Sequence, residues 1–141
     1  GHTRSDRDWS SDVCSSDLDK AAPKLLKHVR TSGFGTHRFD VDENYAYIST
    51  EMEGYQGNIL VIYDCVDPSN PKEVSHWWMP GQKISVGEKP YWNADHRRLH
   101  HGLRFGDRIW AAAWHGGYWL IDVSDITKPT TICTYEPILR S

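Results

Sequence analysis

Residues 113–129 read Ala113-Trp-His-Gly-Gly-Tyr-Trp-Leu-Ile-Asp-Val-Ser-Asp-Ile-Thr-Lys-Pro129, and an earlier part of the chain has the same pattern. That part reads Gly57-Asn-Ile-Leu-Val-Ile-Tyr-Asp-Cys-Val-Asp-Pro-Ser-Asn-Pro71. Each contains an apolar run, an Asp, a second Asp after two residues and a Pro after three more. A constant offset of 58 residues superposes the three positions. A repeat of this length predicts stacked units of supersecondary structure.

The Asp and Pro residues of this pattern predict a reversal between two strands. An Asp carboxylate accepts a backbone N–H two residues later, and Pro holds the preceding residue extended. Residues 19–28 resemble residues 67–76 at an offset of 48, which predicts that 19–35 is the end of an incomplete unit and a connection. Two whole units follow at 36–80 and 101–137, separated by a long connecting loop at 81–100.

Alternating and continuous apolar runs between turn residues predict four strands in each unit. The predicted strands are Thr36–Val41, Tyr45–Thr50, Ile59–Tyr63 and Lys72–Met79, then His101–Phe105, Ile109–Trp114, Tyr118–Asp122 and Thr131–Tyr135. Four-stranded units that repeat every 40–60 residues are typical of β-propeller blades. We therefore predict an all-β chain that holds two blades of a β-propeller and one strand of a preceding blade. A β-sandwich is the alternative.

Composition and charge exclude several classes of protein. A net charge of −3 over 141 residues offers no basic surface for nucleic acid. The sequence has no apolar run of about 18 residues, so we expect no transmembrane segment. Three Cys residues without paired spacing predict neither a disulfide framework nor a zinc site built on Cys.

The two ends of the chain lie outside the predicted units. Residues 1–18 show neither helical nor strand periodicity and are expected to be disordered or non-native. Residues 8–18 resemble the translation of a DNA-sequencing adapter. Residues 138–141 are expected to form a short tail.

The segments Leu60-Val-Ile-Tyr-Asp64 and Tyr118-Trp-Leu-Ile-Asp122, each followed by Asp-x-x-x-Pro, resemble the LVIVD repeat family. Many proteins of that family are bacterial or archaeal and are secreted or lie on the cell surface. The resemblance implies a propeller and a location outside the cytoplasm, at the cell surface or in the periplasm. Since a propeller closes with about four to eight blades, we expect a fragment that needs the remaining blades.

In an antiparallel blade, the start of the first strand, the loop between the second and third strands and the connection into the first strand share one face. The candidate metal ligands on this face are His37, His101, His115, His100 and His96. The candidate ligand-binding residues are Tyr91, Trp92, Glu51 and Glu53. His37 and His101 are paired at an offset of 64, and one neutral imidazole per blade suits a divalent or copper ion. The alternative is that these histidines only cap strand ends by hydrogen bonding.

The remaining aromatic residues have a simpler explanation, because they fit the space between blades. They are Trp77, Trp78, Trp110, Trp114, Trp119 and Tyr118. Cys65 and Cys133 are expected to be buried small apolar residues. The sequence thus favours a binding or surface-interaction scaffold outside the cytoplasm, with a small molecule or a surface partner as its ligand. The alternative is a metal-dependent propeller enzyme, either an oxidoreductase or a hydrolase.

Overall fold

A computed structural model of the protein describes residues 21–89 and 98–135, and within them the chain forms two four-stranded antiparallel sheets. The first sheet contains β1 (Thr36–Val41), β2 (Tyr45–Thr50), β3 (Ile59–Asp64) and β4 (Lys72–Trp77). The second contains β5 (Leu99–Phe105), β6 (Arg108–Ala113), β7 (Gly117–Asp122) and β8 (Thr130–Tyr135). Strands are hydrogen-bonded in chain order in both sheets. The prediction of two four-stranded blades is confirmed.

The Asp-x-x-Asp-x-x-x-Pro segments form the predicted reversals. Asp64 Oδ1 accepts the backbone N–H of Val66 at 2.9 Å, and Asp122 Oδ1 accepts that of Ser124 at 2.8 Å. The second Asp of each segment does the same for the residue two positions later, at 3.0 Å in both units. The most conspicuous repeat in the sequence is therefore a structural turn between the third and fourth strands.

The described part of the incomplete first unit, residues 21–35, contains no strand. The structure also moves the start of the second blade. The fifth strand begins at Leu99 rather than His101, so His100 belongs to the sheet and not to the connection.

The described residues include one short helical segment, a 3₁₀ turn at Ile84–Val86. No helix within 21–89 or 98–135 is long and apolar enough to cross a membrane.

The hydrophobic core lies between the two sheets. Tyr47, Leu60 and Ile62 of the first sheet are fully buried, as are Ile109 and Ile121 of the second. Trp77 and Trp119 meet across the interface in an edge-to-face contact, with ring centroids 5.5 Å apart. Burial of this apolar surface is the main force that holds the two blades together.

The structure confirms only part of the predicted role of the aromatic residues. Trp77 and Trp119 lie between the blades, whereas Trp110 and Tyr118 are more than half exposed. Alternation along β6 and β7 turns these two side chains away from the first sheet, to a face that no described residues cover. Cys133 is exposed as well, contrary to the prediction, because it lies on that same face beside Leu120.

A polar bridge also joins the blades. Asp42 accepts hydrogen bonds from the backbone N–H of Asn44 and Tyr45, at 2.9 and 2.8 Å, and from the hydroxyl of Tyr47 at 2.6 Å. Arg104 of β5 reaches the same carboxylate at 3.3 Å and also donates to the Tyr47 oxygen. Burial raises the pKa of Asp42, but these hydrogen bonds and the Arg104 charge outweigh it and hold the pKa below its usual value.

Acid is therefore expected to weaken the contact between blades. Because the pKa of Asp42 is lowered by folding, its contribution to stability is complete above the pKa of the unfolded chain, near 4. That contribution is lost as the pH falls through the lower pKa of the folded protein. Asp42→Asn should lower the free energy of unfolding by about 2 kcal/mol at pH 7.

Urea unfolding of the wild type and Asp42→Asn at pH 7 and pH 3 measures this effect, and the difference should shrink at pH 3. Asp40→Asn is the matched control, because the Asp40 side chain makes no hydrogen bond or ion pair with the described residues. A difference of equal size at both pH values would contradict the assigned role of the carboxylate.

Candidate functional site

One histidine in each blade occupies a β-bulge at the start of the first strand. Between β1 and β2 the register passes from Thr36↔Thr50 to Arg38↔Ser49, which leaves His37 as the extra residue. Between β5 and β6 it passes from Leu99↔Ala113 to His101↔Ala112, which leaves His100 as the extra residue. A bulge redirects a side chain out of the strand alternation and is common beside functional sites.

The two bulged histidines lie against each other. The imidazole centroids of His37 and His100 are 5.0 Å apart in an edge-on arrangement. Trp114 packs beside both rings, with centroids 6.4 Å from His37 and 5.6 Å from His100. Burial lowers the pKa of His100, and the neighbouring His37, Arg38 and His101 lower it further. A lowered pKa favours the neutral form of the His100 ring, which is the form that can bind a metal ion.

The sequence pairing of His37 with His101 is wrong by one residue. The bulges give an offset of 63 residues between the blades, which makes His100 the structural equivalent of His37. A shift of one residue changes the direction of a side chain on a strand. His101 instead places its Nε2 atom 3.2 Å from the backbone oxygen of Phe39 in the first blade. This contact fits the alternative explanation, a histidine that makes a structural hydrogen bond.

A cavity of about 480 Å³ opens beside His37, and residues from both blades form its wall. The lining residues are Phe34, Gly35, Thr36, His37, Glu51, Asn58, Arg98, Trp114 and His115. They come from the start of β1, the β2–β3 loop, the residue before β5 and the β6–β7 turn. The predicted convergence of these segments on one face therefore brings His37, Glu51 and His115 together.

Glu51 shapes one wall of the cavity. Its Oε2 atom accepts the backbone N–H of Phe34 at 3.0 Å, which ties the segment before β1 to the β2–β3 loop. The carboxylate fits closely over Gly33, where a Cβ atom would lie 1.6 Å from the same oxygen. Gly33 also has a positive φ of 61°, a conformation that favours glycine. Glu53 lines a neighbouring, more open cavity of about 670 Å³ together with Glu51.

Hydrogen bonds between buried polar groups fix the loop that lines the cavity. The Asn58 backbone oxygen accepts the Leu99 N–H at 2.9 Å and the Gln82 side-chain amide at 3.0 Å. Ser49 donates to the Leu99 oxygen at 2.7 Å and accepts a bond from the Asn58 amide at 3.4 Å. Ser49, Asn58 and Gln82 are all buried. The loop that carries Glu51 and Asn58 is thus fixed to the start of β5.

The β6–β7 turn holds Trp114 and His115 at the cavity. The Trp114 N–H donates to the Arg98 backbone oxygen at 2.9 Å, which anchors this turn to the chain before β5. His115 has a φ of 51°, in the left-handed region that side-chain-bearing residues rarely adopt. A rare backbone conformation held beside a cavity is typical of functional sites.

Three of the predicted site residues, Tyr91, Trp92 and His96, lie outside the described residues, so their predicted roles stay predictions. Within 21–89 and 98–135, no group of three or more His, Cys, Asp or Glu side chains is placed to hold a metal ion. Of the predicted metal ligands, His37 and His100 have their rings in contact, and His115 lines the same cavity as His37.

Trp114, Arg98 and Asn58 were absent from the predicted ligand-binding set. Trp114 was assigned to the packing between blades, yet it is 49% exposed and faces the bulged histidines. Its position directly before His115-Gly-Gly was the available signal, because a turn between the second and third strands belongs to the site face. The sequence did not mark Asn58 and Arg98 in this way. Each is the last residue of a loop whose length differs between the two units, so the repeat pattern does not indicate its position.

The two units match the model of the LVIVD repeat at residues 36–77 and 106–136, just over half of the chain. The chain belongs to the LVIVD repeat family. The first LVIVD match covers β1 to β4, a whole blade, and the second runs from the β5–β6 turn through β8, which are the last three strands of the second blade. Comparisons with curated proteins and with solved structures found no match.

Proposed function

We propose that this chain is part of a binding scaffold outside the cytoplasm, and that its ligand occupies the cavity between the bulged ends of β1 and β5. The observation that carries the proposal is the wall of this cavity, to which both blades contribute. A site shared by two blades exists only when the blades are packed, which is how a repeat fold creates binding surfaces.

The lining of the cavity favours a small ligand with an aromatic or flat apolar part and a polar group. Phe34 and Trp114 offer exposed aromatic surface, at 100% and 49% exposure. His37 and Glu51 provide polar side chains at the same cavity. A mostly apolar cavity with a few convergent polar groups is the usual form of a small-molecule site.

The proposal predicts that loss of Trp114 weakens binding. Ligands are found with a fluorine-detected NMR fragment screen, and their affinities are measured by calorimetry. Trp114→Ala should raise Kd about tenfold, because one aromatic contact contributes on the order of 1 kcal/mol beyond the buried area. Trp110→Ala is the matched control, since Trp110 is similarly exposed but lies on another face. Equal affinity of the fragments for Trp114→Ala and the wild type would contradict the proposal.

The location outside the cytoplasm is supported by the resemblance to the LVIVD family. Fractionation of cells that express the native gene, with an antibody against residues 98–135, tests this location. Detection in the cytoplasm alone would reject it.

The contact between His37 and His100 favours metal binding as a second candidate function. The ring centroids of two imidazoles from equivalent bulges lie 5.0 Å apart, and the lowered pKa of His100 favours the neutral form that binds metal ions. Imidazole suits zinc and copper, so a divalent or copper ion would be held here and an oxidoreductase or hydrolase reaction would depend on it. The alternative of a metal-dependent propeller enzyme is part of this second candidate function.

Metal titration separates the two candidates. The second candidate predicts that the protein retains one Zn²⁺ or Cu²⁺ per chain after dialysis and that His100→Ala loses it. His76→Ala should retain the ion, because His76 lies in β4 and contacts Tyr55 and Glu73 instead. Absence of retained metal, or equal retention by His100→Ala, would reject metal binding and leave the small-molecule proposal unaffected.

A further inference from the structure

Two side chains in the wall of the cavity beside His37 lie on neighbouring positions of the backbone. Trp114 and Arg98 both line this cavity, and the Trp114 N–H donates to the Arg98 backbone oxygen at 2.9 Å. The Trp114 ring is 49% exposed and offers a flat apolar surface. The Arg98 guanidinium offers a planar set of N–H donors and a permanent positive charge. A flat surface and a fixed charge are thus combined in one part of the wall.

The side chains around this part of the wall favour a negative ligand. His37 and His115 line the same cavity, and each has a ring N–H that can donate to an anion. Outside the wall, the Arg38 charge acts on the His100 ring, whose centroid lies 5.0 Å from that of His37. Arg98 has other interactions in the structure, but the several N–H donors of a guanidinium can serve more than one acceptor. An anion would therefore meet donors from both blades.

Glu51 is the acidic side chain among the described lining residues, and it limits the charge that the ligand can carry. Its Oε2 atom accepts the Phe34 N–H at 3.0 Å, which holds the carboxylate against the segment before β1. The charge of this carboxylate still acts across a cavity of about 480 Å³, and it would repel a phosphate dianion more strongly than a carboxylate. The wall therefore favours a ligand with a single negative charge.

We infer that the cavity binds a small aromatic carboxylate, with its ring on Trp114 and its two oxygens on the Arg98 guanidinium. This inference rests on the proposed function of the cavity and gives its ligand a chemical class. A guanidinium and a carboxylate match in shape, because two parallel N–H donors meet two oxygens. A short link between the ring and the carboxylate is enough, since Trp114 and Arg98 begin on neighbouring positions.

A series of ligands that share a phenyl ring tests this preference for charge. Phenylacetate, 2-phenylacetamide, 2-phenylethylamine and phenyl phosphate are titrated into the full chain at pH 7.5, and each Kd is measured by ligand-observed NMR. Phenylacetate should bind about tenfold more tightly than the amide, because hydrogen bonds between charged groups are stronger than neutral ones. The amine and the phosphate should also bind more weakly than phenylacetate, since the first brings a positive charge to Arg98 and the second a double negative charge to Glu51.

Two variants show whether Arg98 causes the preference. Arg98→Gln removes the charge but keeps a polar side chain, so Kd for phenylacetate should rise about tenfold. Kd for 2-phenylacetamide should change little, which also shows that the cavity of the variant is intact. Arg108→Gln is the matched control and should leave both affinities unchanged, because Arg108 begins β6 and its charge acts on Asp122 instead.

Equal affinity of the wild type for phenylacetate and its amide would overturn the inference, as would tighter binding of the amine or the phosphate. Binding of phenylacetate by Arg98→Gln as tightly as by the wild type would also overturn it. In each of these cases the cavity would remain a binding site and the proposed function would stand. If no fragment of the wider screen binds the cavity, the proposed function and this inference are both wrong.

Discussion

Replacement of Trp119 by Ala should lower the free energy of unfolding by about 4 kcal/mol, since removal of a buried Trp leaves a large cavity. Trp119 is 4% exposed and packs against Trp77 across the blade interface. Its indole N–H also donates to the Gly116 oxygen at 2.8 Å, and that buried acceptor would lose its partner. Equilibrium unfolding in urea, followed by circular dichroism, measures the loss.

Trp110→Ala is the matched control, because it removes the same side chain from the neighbouring strand on the exposed face. Its cost should be about 1 kcal/mol, as most of the Trp110 ring already contacts water. Equal losses for the two variants would mean that the two sheets do not pack through the face that contains Trp119.

Gln82→Leu should have the second largest effect, a loss of about 3 kcal/mol in the free energy of unfolding. The buried amide accepts the Met79 N–H at 2.8 Å and donates to the Gln56 and Asn58 oxygens at 2.9 and 3.0 Å. Leu fills similar space but removes three hydrogen bonds to backbone groups, and it leaves the buried Met79 N–H without this partner, so each lost bond costs about 1 kcal/mol. Chemical denaturation gives the total, and hydrogen exchange at the Met79 amide reports the local effect.

The Gln56 side chain provides the control for this prediction. It makes no hydrogen bond with the described part of the chain, so Gln56→Leu should change the stability by less than about 0.5 kcal/mol. Because the Gln82 amide holds the loop that carries Glu51 and Asn58, Gln82→Leu should also weaken fragment binding in the cavity. Unchanged binding together with unchanged stability would show that the amide is dispensable.

The fold followed from the sequence because its signals are local. An Asp that accepts a hydrogen bond two residues later, and a Pro that fixes the backbone, act within one turn and need no tertiary partner. These signals placed Asp64 and Asp122 at the ends of equivalent strands, and the structure confirms both. The order of strands in each blade then followed from short connections.

The sequence predicted the site only in outline, because the geometry of the site depends on contacts between residues that are distant in the chain. The bulges at His37 and His100 are defined by the strands opposite them, so a comparison of single strands assigned His101 in place of His100. The prediction of which aromatic residues are buried was partly wrong for a similar reason. Trp119 and Trp110 are equally apolar in the sequence, and only the arrangement of the sheets makes one core and the other surface.

The loops between the second and third strands differ in length, with eight residues at 51–58 and three at 114–116, yet the bulged histidines of the two blades still meet. Backbone pairing sets the bulges from which those rings project, and the loop residues before Asn58 form part of the wall around them. That part of the wall can therefore be exchanged while the rings are kept. A designer who replaces the loop between β2 and β3 but keeps Asn58 and its bonds to Leu99 and Gln82 should obtain new ligand selectivity on an unaltered pair of imidazoles.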